Sequence, residues 1–167
     1  MLGVGVLLRG PSGVGKSETA LELVTRGHRL VADDVVEVSL GAPGASGSEG
    51  WLVGSAPELI RHFMEIRGIG LFRVPELFGE RAVLDRARIE LVCRLEHWRE
   101  DAAYDRTGHD RPTEELEGVV LPALVLPVRP SGNMATLVEV AVREHLHRGL
   151  GGSAAEQLDA RFRRGAT

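Results

Sequence analysis

The amino-acid sequence predicts an α/β domain, in which a partly antiparallel sheet carries helices and a phosphate-binding loop. Three observations predict this class. A short apolar run, Val4 to Leu8, precedes a glycine-rich loop, Gly10 to Ser17, and a helical pattern follows that loop. Strand and helix patterns then mix without strict alternation, which favours antiparallel pairing in part of the sheet. The 167 residues, 43% of them hydrophobic, suit one globular domain with its own core.

The glycine-rich loop fits the pattern Gly, four free positions, Gly, Lys and Ser or Thr, which is typical of nucleotide phosphate sites. Gly13 and Gly15 can adopt dihedrals that turn successive N–H groups inward, and the following helix adds its N-terminal donors. Lys16 would reach the outer phosphates of a triphosphate, and Ser17 would offer its hydroxyl to a magnesium ion. A turn that binds nothing is the alternative, and the strand-loop-helix context argues against it. The loop residues are Gly10, Pro11, Ser12, Gly13, Val14, Gly15, Lys16 and Ser17.

The first half of the chain continues with helical and extended patterns. Apolar side chains share one face of the first helix, which Gly27 ends. Two adjacent acids, Asp33 and Asp34, interrupt an otherwise apolar extended run. The elements predicted here are a helix over Ser17 to Arg26, extended segments over Arg29 to Ala32, Val35 to Leu40 and Trp51 to Val53, a flexible loop over Gly41 to Gly50, and a short helix over Pro57 to His62.

The second half is less regular. The stretch Met64 to Arg73 places two glycines and two opposite charges between apolar residues, an unusual composition for a buried element. The stretch Asp101 to Glu115 is polar and is expected to be mobile. The elements predicted here are a helical turn over Pro75 to Phe78, a strand over Arg88 to Leu95, an extended segment over Val119 to Val128, a helix over Ala135 to His147, and a final helix that Ser153 caps and that ends near Arg163.

Charged side chains supply candidates for chemistry around a bound triphosphate. Phosphoryl transfer needs a metal, a cation on the transferring group, and a group that takes or positions the proton of the nucleophile. Asp34 ends an extended segment next to the glycine-rich loop, so we expect it beside the phosphates; a solvated turn residue is the alternative. Glu65 and Arg67 are further candidates, for which a surface ion pair is the alternative. Arg106 lies in the polar stretch, where an arginine is more often simply solvated.

Charge and cysteine content argue against several classes of protein. A net charge of -4 and a pI near 5.9 give no support for a nucleic-acid partner, so a protein or small-molecule partner is expected. Cys93 is the single cysteine, and its apolar neighbours predict a buried thiol without chemistry. We expect neither a signal peptide nor a membrane span, and we expect a cytoplasmic location.

Several motifs, in order along nearly the whole chain, resemble the catalytic domain of the HPr kinase/phosphorylase family. The glycine-rich loop begins the match. The signature Glu-Ile-Arg-Gly at Glu65 to Gly68, in register with that loop, is the most specific part. The further matching runs are Arg26 to Asp34, Ala56 to Leu59, Glu65 to Gly70, Leu77 to Gly79, Tyr104 to Arg106, and Pro127 to Pro130 with Asn133.

The resemblance implies a mixed sheet with flanking helices, related to the nucleotide-binding domains of phosphoenolpyruvate carboxykinases. It implies ATP-dependent phosphorylation of a regulatory serine on HPr, the phosphocarrier of the bacterial sugar phosphotransferase system. It also implies removal of that phosphate by inorganic phosphate, which yields pyrophosphate, as part of bacterial carbon regulation. ATP and Mg²⁺ are the implied cofactors, HPr is the implied partner, and the implied assembly is a homohexamer.

The family's functional positions fall on particular residues of this chain. Lys16 matches the catalytic lysine of the phosphate-binding loop, and Ser17 matches its magnesium-binding serine. Asp34 matches the residue that accepts the serine proton in the forward reaction and donates it in the reverse reaction. Glu65 matches a second magnesium-binding position, and Arg106 matches a catalytic arginine. The roles assigned by resemblance therefore agree with the candidates that the residues themselves suggest.

The chain also departs from the family. The family has a catalytic histidine a few residues upstream of the first strand and, in its longer members, an N-terminal regulatory domain. We expect residues 1–167 to be a single catalytic domain without that regulatory domain. Pro127 to Gly132 matches a segment associated with dephosphorylation. The turn Pro130 to Asn133, however, lacks the glycine and arginine that commonly fill its middle places.

Two other classes of function stay open from the residues alone. A small-molecule kinase or a carboxykinase-like enzyme would share the glycine-rich loop and the acids. A nucleotide-sensing module without catalysis would need the loop but no proton acceptor such as Asp34. The last helix, with Arg161, Arg163 and Arg164, is either part of a surface for HPr or a solvated basic end.

Overall fold

The computed structural model describes residues 1–41, 50–109, 111–129 and 132–165. The strands in these residues are β1 (Val6–Arg9), β2 (Glu37–Leu40), β3 (Leu52–Ser55), β4 (Phe63–Ile66), β5 (Gly70–Arg73), β6 (Arg86–Ile89), β7 (Leu91–His97), β8 (Thr113–Leu116) and β9 (Val119–Val128). The helices are α1 (Lys16–Thr25), α2 (Val74–Phe78), α3 (Met134–Gly149) and α4 (Ala154–Gly165), with 3-10 turns at Glu58–Ile60 and Glu80–Ala82.

The main sheet has four strands in the spatial order β1-β7-β9-β8. Strands β1, β7 and β9 run parallel, and β8 pairs antiparallel with β9. The register sets Arg9 opposite Arg94 and Val92 opposite Ala123. The three parallel strands therefore end at one edge of the sheet, where α/β proteins gather their ligands. The predicted α/β class with a partly antiparallel sheet is confirmed.

The two faces of the main sheet carry different cores because side chains alternate along each strand. On one face, Leu91, Cys93 and Leu95 of β7 pack with α3 and with Leu23 of α1. On the other face, Val92 packs with side chains of a second sheet, whose order is β2-β3-β6. The expected flanking helices therefore lie on one face, and no helix covers the other face in the described residues. The apolar side chains of β3 and β6 cover it instead.

The hairpin of β4 and β5 forms a third unit beside α1. Met64 and Ile66 are buried with Val24 of α1 and with Val74 of α2. Helix α1 therefore contributes to two cores, one shared with the main sheet and one shared with the hairpin. The odd composition of Met64 to Arg73 reflects this geometry in part: Met64 and Ile66 are buried against α1, and the charged side chains of Glu65, Arg67 and Arg73 are exposed. The apolar side chains of Ile69 and Leu71 are exposed as well.

The predicted strand Arg88 to Leu95 is two strands in different sheets. β6 pairs antiparallel with β3, whereas β7 pairs parallel with β1. The change of sheet occurs at Glu90, whose backbone N–H donates to the carbonyl oxygen of Gly5 at 2.9 Å. β6 alternates polar and apolar residues, whereas β7 starts with three consecutive buried residues, Leu91 to Cys93. Apolar residues flank Glu90 on both sides, so the sequence shows no break there.

Other local predictions were corrected in part. The segment over Arg29 to Ala32 is not a strand, because Leu30 makes only an isolated bridge to Val83. Asp33 and Asp34 therefore lie in a loop before β2 and do not end a strand. The stretch Asp101 to Glu115, expected to be mobile, contains the start of β8. The predicted loop over Gly41 to Gly50 falls mostly on residues 42–49, which lie outside the described residues.

Several remaining predictions were confirmed. α1, α2 and α3 lie within one or two residues of their predicted bounds. Ser153 accepts a hydrogen bond from the backbone N–H of Glu156 at 3.3 Å, as its capping role requires. Cys93 is fully buried, and this burial raises the pKa of its thiol to about 12, as expected for a thiol without chemistry. Among the described residues, no helix is long and apolar enough to span a membrane.

Gly5→Ala should destabilise the protein, because a Cβ atom there would meet main chain. It would lie 1.7 Å from the carbonyl oxygen of Arg88, which side-chain rotation cannot move. We expect the free energy of unfolding in urea to fall by about 1–3 kcal/mol, the usual cost of overpacking. Gly149→Ala is the control, since nothing lies within 4 Å of its added Cβ. An unchanged urea midpoint for Gly5→Ala would contradict the packing described for β1.

Candidate functional site

The glycine-rich loop connects β1 to α1 and adopts the backbone conformation that its glycines permit. Gly13 has a φ of 80° and Gly15 has a φ of 99°, both in the left-handed region. Val14, between them, is buried, and its backbone N–H donates to the carbonyl oxygen of Pro11 at 3.4 Å. Buried Thr19 holds the first turn of α1, since its hydroxyl donates to the carbonyl oxygen of Gly15 at 2.6 Å.

Lys16 and Ser17 open α1 directly behind the loop. The ammonium group of Lys16 donates to the carbonyl oxygens of Gly10 and Pro11, each at 3.0 Å. Within the described part of the chain, Lys16 has no carboxylate partner, and the hydroxyl of Ser17 makes no hydrogen bond. Both groups therefore stand at the positive end of the helix with bonding capacity left for an anion or a metal.

The two adjacent acids have different surroundings. Asp33 is half-buried, and its Oδ2 accepts a hydrogen bond from the backbone N–H of Glu65 at 3.1 Å. Asp34 is exposed and makes no hydrogen bond or ion pair with any residue that the structure describes. Asp33 thus ties its loop to the hairpin, while Asp34 keeps its carboxylate available.

The hairpin brings Glu65 and Arg67 to the same region. Alternation along β4 buries Met64 and Ile66 and leaves Glu65 and Arg67 exposed. Nη2 of Arg67 lies 3.5 Å from the hydroxyl oxygen of Ser12 in the glycine-rich loop. Across the residues described, Glu65 and Arg67 form no ion pair with each other or with another side chain, so the surface-pair alternative is wrong.

Arg106 lies in the segment between β7 and β8. It is exposed, and it contacts none of the other candidate residues in the described part of the chain. The turn around it is well held. Asp105 accepts hydrogen bonds from the backbone N–H groups of Thr107 and Gly108, and these bonds hold its pKa below the usual range.

Sequence reasoning missed an aromatic stack that fixes this segment. The rings of Trp98 and Tyr104 stack with centroids 4.9 Å apart, and the guanidinium of Arg129 lies 3.7 Å from the Trp98 ring centroid. The hydroxyl of Tyr104 also accepts from the backbone N–H of Arg99 at 3.1 Å. The chain has seven aromatic residues, and two of them, Trp98 and Tyr104, lie close together in the sequence just before Arg106. This spacing is the signal from which the stack could have been predicted.

A second missed group is a buried carboxylate on β8. Glu114 is 9% exposed and pairs with both Arg9 and Arg94, the latter at 2.9 Å. Sequence analysis did not identify it, because it lies in the polar stretch that was predicted to be mobile. Arg9 at the end of β1 and Arg94 within β7 share this one carboxylate, which leaves positive charge near the glycine-rich loop.

The segment Pro127 to Gly132 is described only in part, because Pro130 and Ser131 lie outside the described residues. Its start belongs to β9, and Asn133 after it caps α3 by accepting from the backbone N–H of Thr136 at 2.8 Å. Asn133 also donates to Glu22 of α1 at 2.6 Å. That bond and one from Arg26 hold the pKa of Glu22 below its usual range.

The described residues contain no group of three or more His, Cys, Asp or Glu side chains arranged to hold a metal ion. Magnesium in nucleotide enzymes takes few ligands from protein and several from phosphates and water. The unbonded hydroxyl of Ser17 and the exposed carboxylate of Glu65 suit that mode of binding.

Comparison with known proteins relates this arrangement to one family. The family description "HPr Serine kinase C-terminal domain" matches residues 1–162. HPr kinase/phosphorylase of Thermoanaerobacter sp. (strain X514) is 50% identical over 160 residues, which cover 96% of this chain and 50% of the relative. The Geobacillus kaustophilus (strain HTA426) protein of the same name is 52% identical over 160 residues with the same coverage. The chain thus spans about half the length of the curated relatives that it matches.

A solved structure gives the same result. The Hpr(Ser) kinase/phosphatase from Coxiella burnetii superimposes with a TM-score of 0.76 at 32% sequence identity, covering 95% of this chain and 90% of that chain. The similarity therefore holds in sequence and in three dimensions over nearly all of the residues. From these matches we conclude that the chain belongs to the HPr serine kinase C-terminal domain family.

Proposed function

We propose that the chain transfers the γ-phosphoryl group of ATP to a regulatory serine of HPr and also removes that phosphate by phosphorolysis. The observation that carries the proposal is the docking of the Glu65–Arg67 hairpin on the glycine-rich loop, beside the loop of Asp33 and Asp34. These contacts bring three groups into one region. They are the glycine-rich loop, which suits phosphate, the carboxylate of Asp34, which would take a proton, and the carboxylate of Glu65, which would bind the metal ion. The names of the relatives supply the substrate class.

The residues fit ATP with magnesium. The backbone of the glycine-rich loop suits phosphate oxygens, Lys16 suits the outer phosphates, and Ser17 with Glu65 would hold the metal ion. Magnesium supplies charge neutralisation of the phosphates and orients the transferring group. We further propose that the fold is related to phosphoenolpyruvate carboxykinase-type nucleotide domains and that residues 1–167 act as a single catalytic domain.

In the forward direction, the serine oxygen of HPr forms a bond to the γ-phosphorus, and the bond from that phosphorus to the bridging oxygen of ADP breaks. A serine hydroxyl is a weak nucleophile at neutral pH, so a carboxylate must position it and take its proton. The carboxylate of Asp34, which is exposed and pairs with none of the described residues, performs this role. Arg106 supplies positive charge to the transferring group.

In the reverse direction, an oxygen of inorganic phosphate attacks the phosphorus of phosphoserine. The bond from phosphorus to the serine oxygen breaks, that oxygen takes the proton from Asp34, and pyrophosphate leaves. Phosphorolysis is a separate reaction from the reverse of the kinase step, because inorganic phosphate takes the place of ADP. Both reactions nevertheless move a phosphoryl group between the serine oxygen and a phosphate oxygen, so the same residues can stabilise the transferring group in each.

Partner surfaces follow from exposed apolar residues. Leu158 and Phe162 are exposed on α4, among the basic residues Arg161 and Arg163. We propose that this helix contributes to binding HPr and that the chain assembles as a homohexamer in the cytoplasm. Exposed apolar side chains around the hairpin, which such an assembly would cover, are Leu59, Ile69, Leu71 and Leu77.

Incubation with labelled ATP, magnesium and HPr should transfer label to HPr. Addition of inorganic phosphate should then release pyrophosphate as label leaves the protein. A panel of small hydroxyl and carboxylate acceptors is tested in parallel. Label on a small acceptor alone would favour the carboxykinase-like alternative, and nucleotide binding without any transfer would favour the sensing module.

Asp34→Asn should lower the rate of both reactions by about 10²–10⁴-fold, the usual contribution of a general base or acid. ATP affinity, measured by equilibrium binding, should change by less than about threefold because the loop is untouched. Glu117→Gln is the control, since this exposed carboxylate lies in the turn before β9, at the opposite sheet edge. Normal turnover by Asp34→Asn in either direction would refute the assigned role.

Arg106→Ala should lower kcat by about 10²-fold or more, because a cation that acts on transition-state charge contributes little to ground-state binding. Arg99→Ala is the matched control: Arg99 is exposed in the same segment, and its side chain makes no ion pair with the residues described. Single-turnover transfer and ATP affinity are measured for both variants. A loss confined to affinity would count against a catalytic role for Arg106.

A further inference from the structure

The turn that carries Arg106 is closed by one carboxylate. Oδ1 of Asp105 accepts hydrogen bonds from the backbone N–H groups of Thr107 and Gly108, at 2.8 Å and 3.0 Å. It also accepts a hydrogen bond from the hydroxyl of Thr107 at 3.0 Å. Gly108 has a φ of 71°, so the turn ends in the left-handed region that favours glycine. These bonds set the shape of the turn, but they do not attach it to the rest of the protein.

Arg148 of α3 supplies that attachment at the far end of the turn. Its Nη2 donates to the carbonyl oxygen of Gly108, and a Cβ on Gly108 would lie 3.4 Å from the same nitrogen. The stack of Tyr104 on Trp98 holds the near end. Because Val138 of α3 is buried in the core of the main sheet, the bond from Arg148 fixes the turn relative to that sheet.

Glu144 holds the guanidinium of Arg148 in place. Nε of Arg148 donates to one carboxylate oxygen of Glu144, which lies one helical turn earlier. The other carboxylate oxygen pairs with Arg111, which follows the turn and is 15% exposed. Helix α3 therefore binds the chain after Arg106 at two points, Gly108 and Arg111, through charge-assisted bonds.

The contact of the same segment with α4 is weaker. Nε2 of His109 lies 3.2 Å from Oδ2 of Asp159, but the two side chains are 40% and 47% exposed. Exposed pairs of this kind contribute little to stability, because water and salt screen them. The contacts to α3 therefore set the position of the turn.

We propose that Arg148 is a positioning residue for Arg106. By holding the carbonyl oxygen of Gly108, it fixes the turn from which Arg106 acts on the transferring phosphoryl group. The inference rests on the proposed function, since it takes Arg106 to act on transition-state charge. A cation that is already aimed at that charge needs no rearrangement during the reaction, whereas a freely moving cation must be ordered in each turnover.

Arg148→Ala should lower kcat for transfer from ATP to HPr by about 10-fold and change ATP affinity by less than about twofold. Arg148→Lys should recover part of the loss, because an ammonium group can donate to Gly108 but lacks the planar fork that also binds Glu144. Arg143→Ala is the matched control: Arg143 is exposed on the same helix, carries the same charge, and makes no ion pair with the described residues.

A double-mutant cycle separates positioning from a general structural effect. In a chain that already carries Arg106→Ala, Arg148→Ala should lower kcat by less than about twofold, since the side chain through which it acts is gone. A loss of the same size in both backgrounds would overturn the proposal. An unchanged kcat in Arg148→Ala alone, or an equal loss in Arg143→Ala, would overturn it as well.

Hydrogen exchange measures the same contact without catalysis. The backbone N–H groups of Thr107 and Gly108 should exchange about 10-fold faster in Arg148→Ala, and at an unchanged rate in Arg143→Ala. If the unmodified chain transfers no phosphoryl group to HPr, the proposed function fails and this inference fails with it. If it does transfer, and Arg148→Ala alters neither kcat nor exchange, only the inference fails. Thermal unfolding confirms that each variant is folded, and Arg148→Gln replaces Arg148→Ala if the alanine variant is not.

Discussion

The burial of α1 on two sides is the constraint on which the candidate site depends. Leu23 packs with the main sheet and α3, while the adjacent Val24 packs with the β4–β5 hairpin. Burial of such apolar side chains stabilises each contact by about 1.5–3 kcal/mol per side chain. Because α1 begins at the glycine-rich loop, its two contacts fix that loop between the sheet edge and the hairpin. Arg67 reaches the loop only because the hairpin is packed against this helix.

The segment after β7 is held by a different kind of interaction. The stack of Arg129, Trp98 and Tyr104 joins the ends of β7 and β9, and Arg148 of α3 donates to the carbonyl oxygen of Gly108. In the segment between β7 and β8, polar and aromatic contacts take the place of a hydrophobic core. Because these contacts hold the segment at its ends, the side chain of Arg106 between them is exposed. A segment fixed at its flanks can present one cation to a ligand without burying it.

Sequence reasoning identified what is local and missed what depends on tertiary contacts. The glycine-rich loop and α1 were predicted because strand, loop and helix follow one another directly. The break between β6 and β7 was not predicted, since apolar residues flank Glu90 on both sides and the partner strands are what differ. Which of Asp33 and Asp34 binds the hairpin depends on a contact to Glu65, which no local pattern shows. The stack on Trp98 likewise joins residues that no short pattern connects.

Asn133, which follows the segment that resembles the family's dephosphorylation region, is bound to the helix that begins at the glycine-rich loop. Asn133 donates to Glu22, and Arg26 bridges Glu22 to Glu139 of α3. Hydrogen bonds from His28 and Arg26 hold the pKa of Glu139 below its usual range, so this network is charged at neutral pH. A shift of Asn133 and α3 relative to α1 would break several charge-assisted bonds at once. The start of α3 and the helix behind the glycine-rich loop therefore form one frame, and both proposed reactions would depend on it.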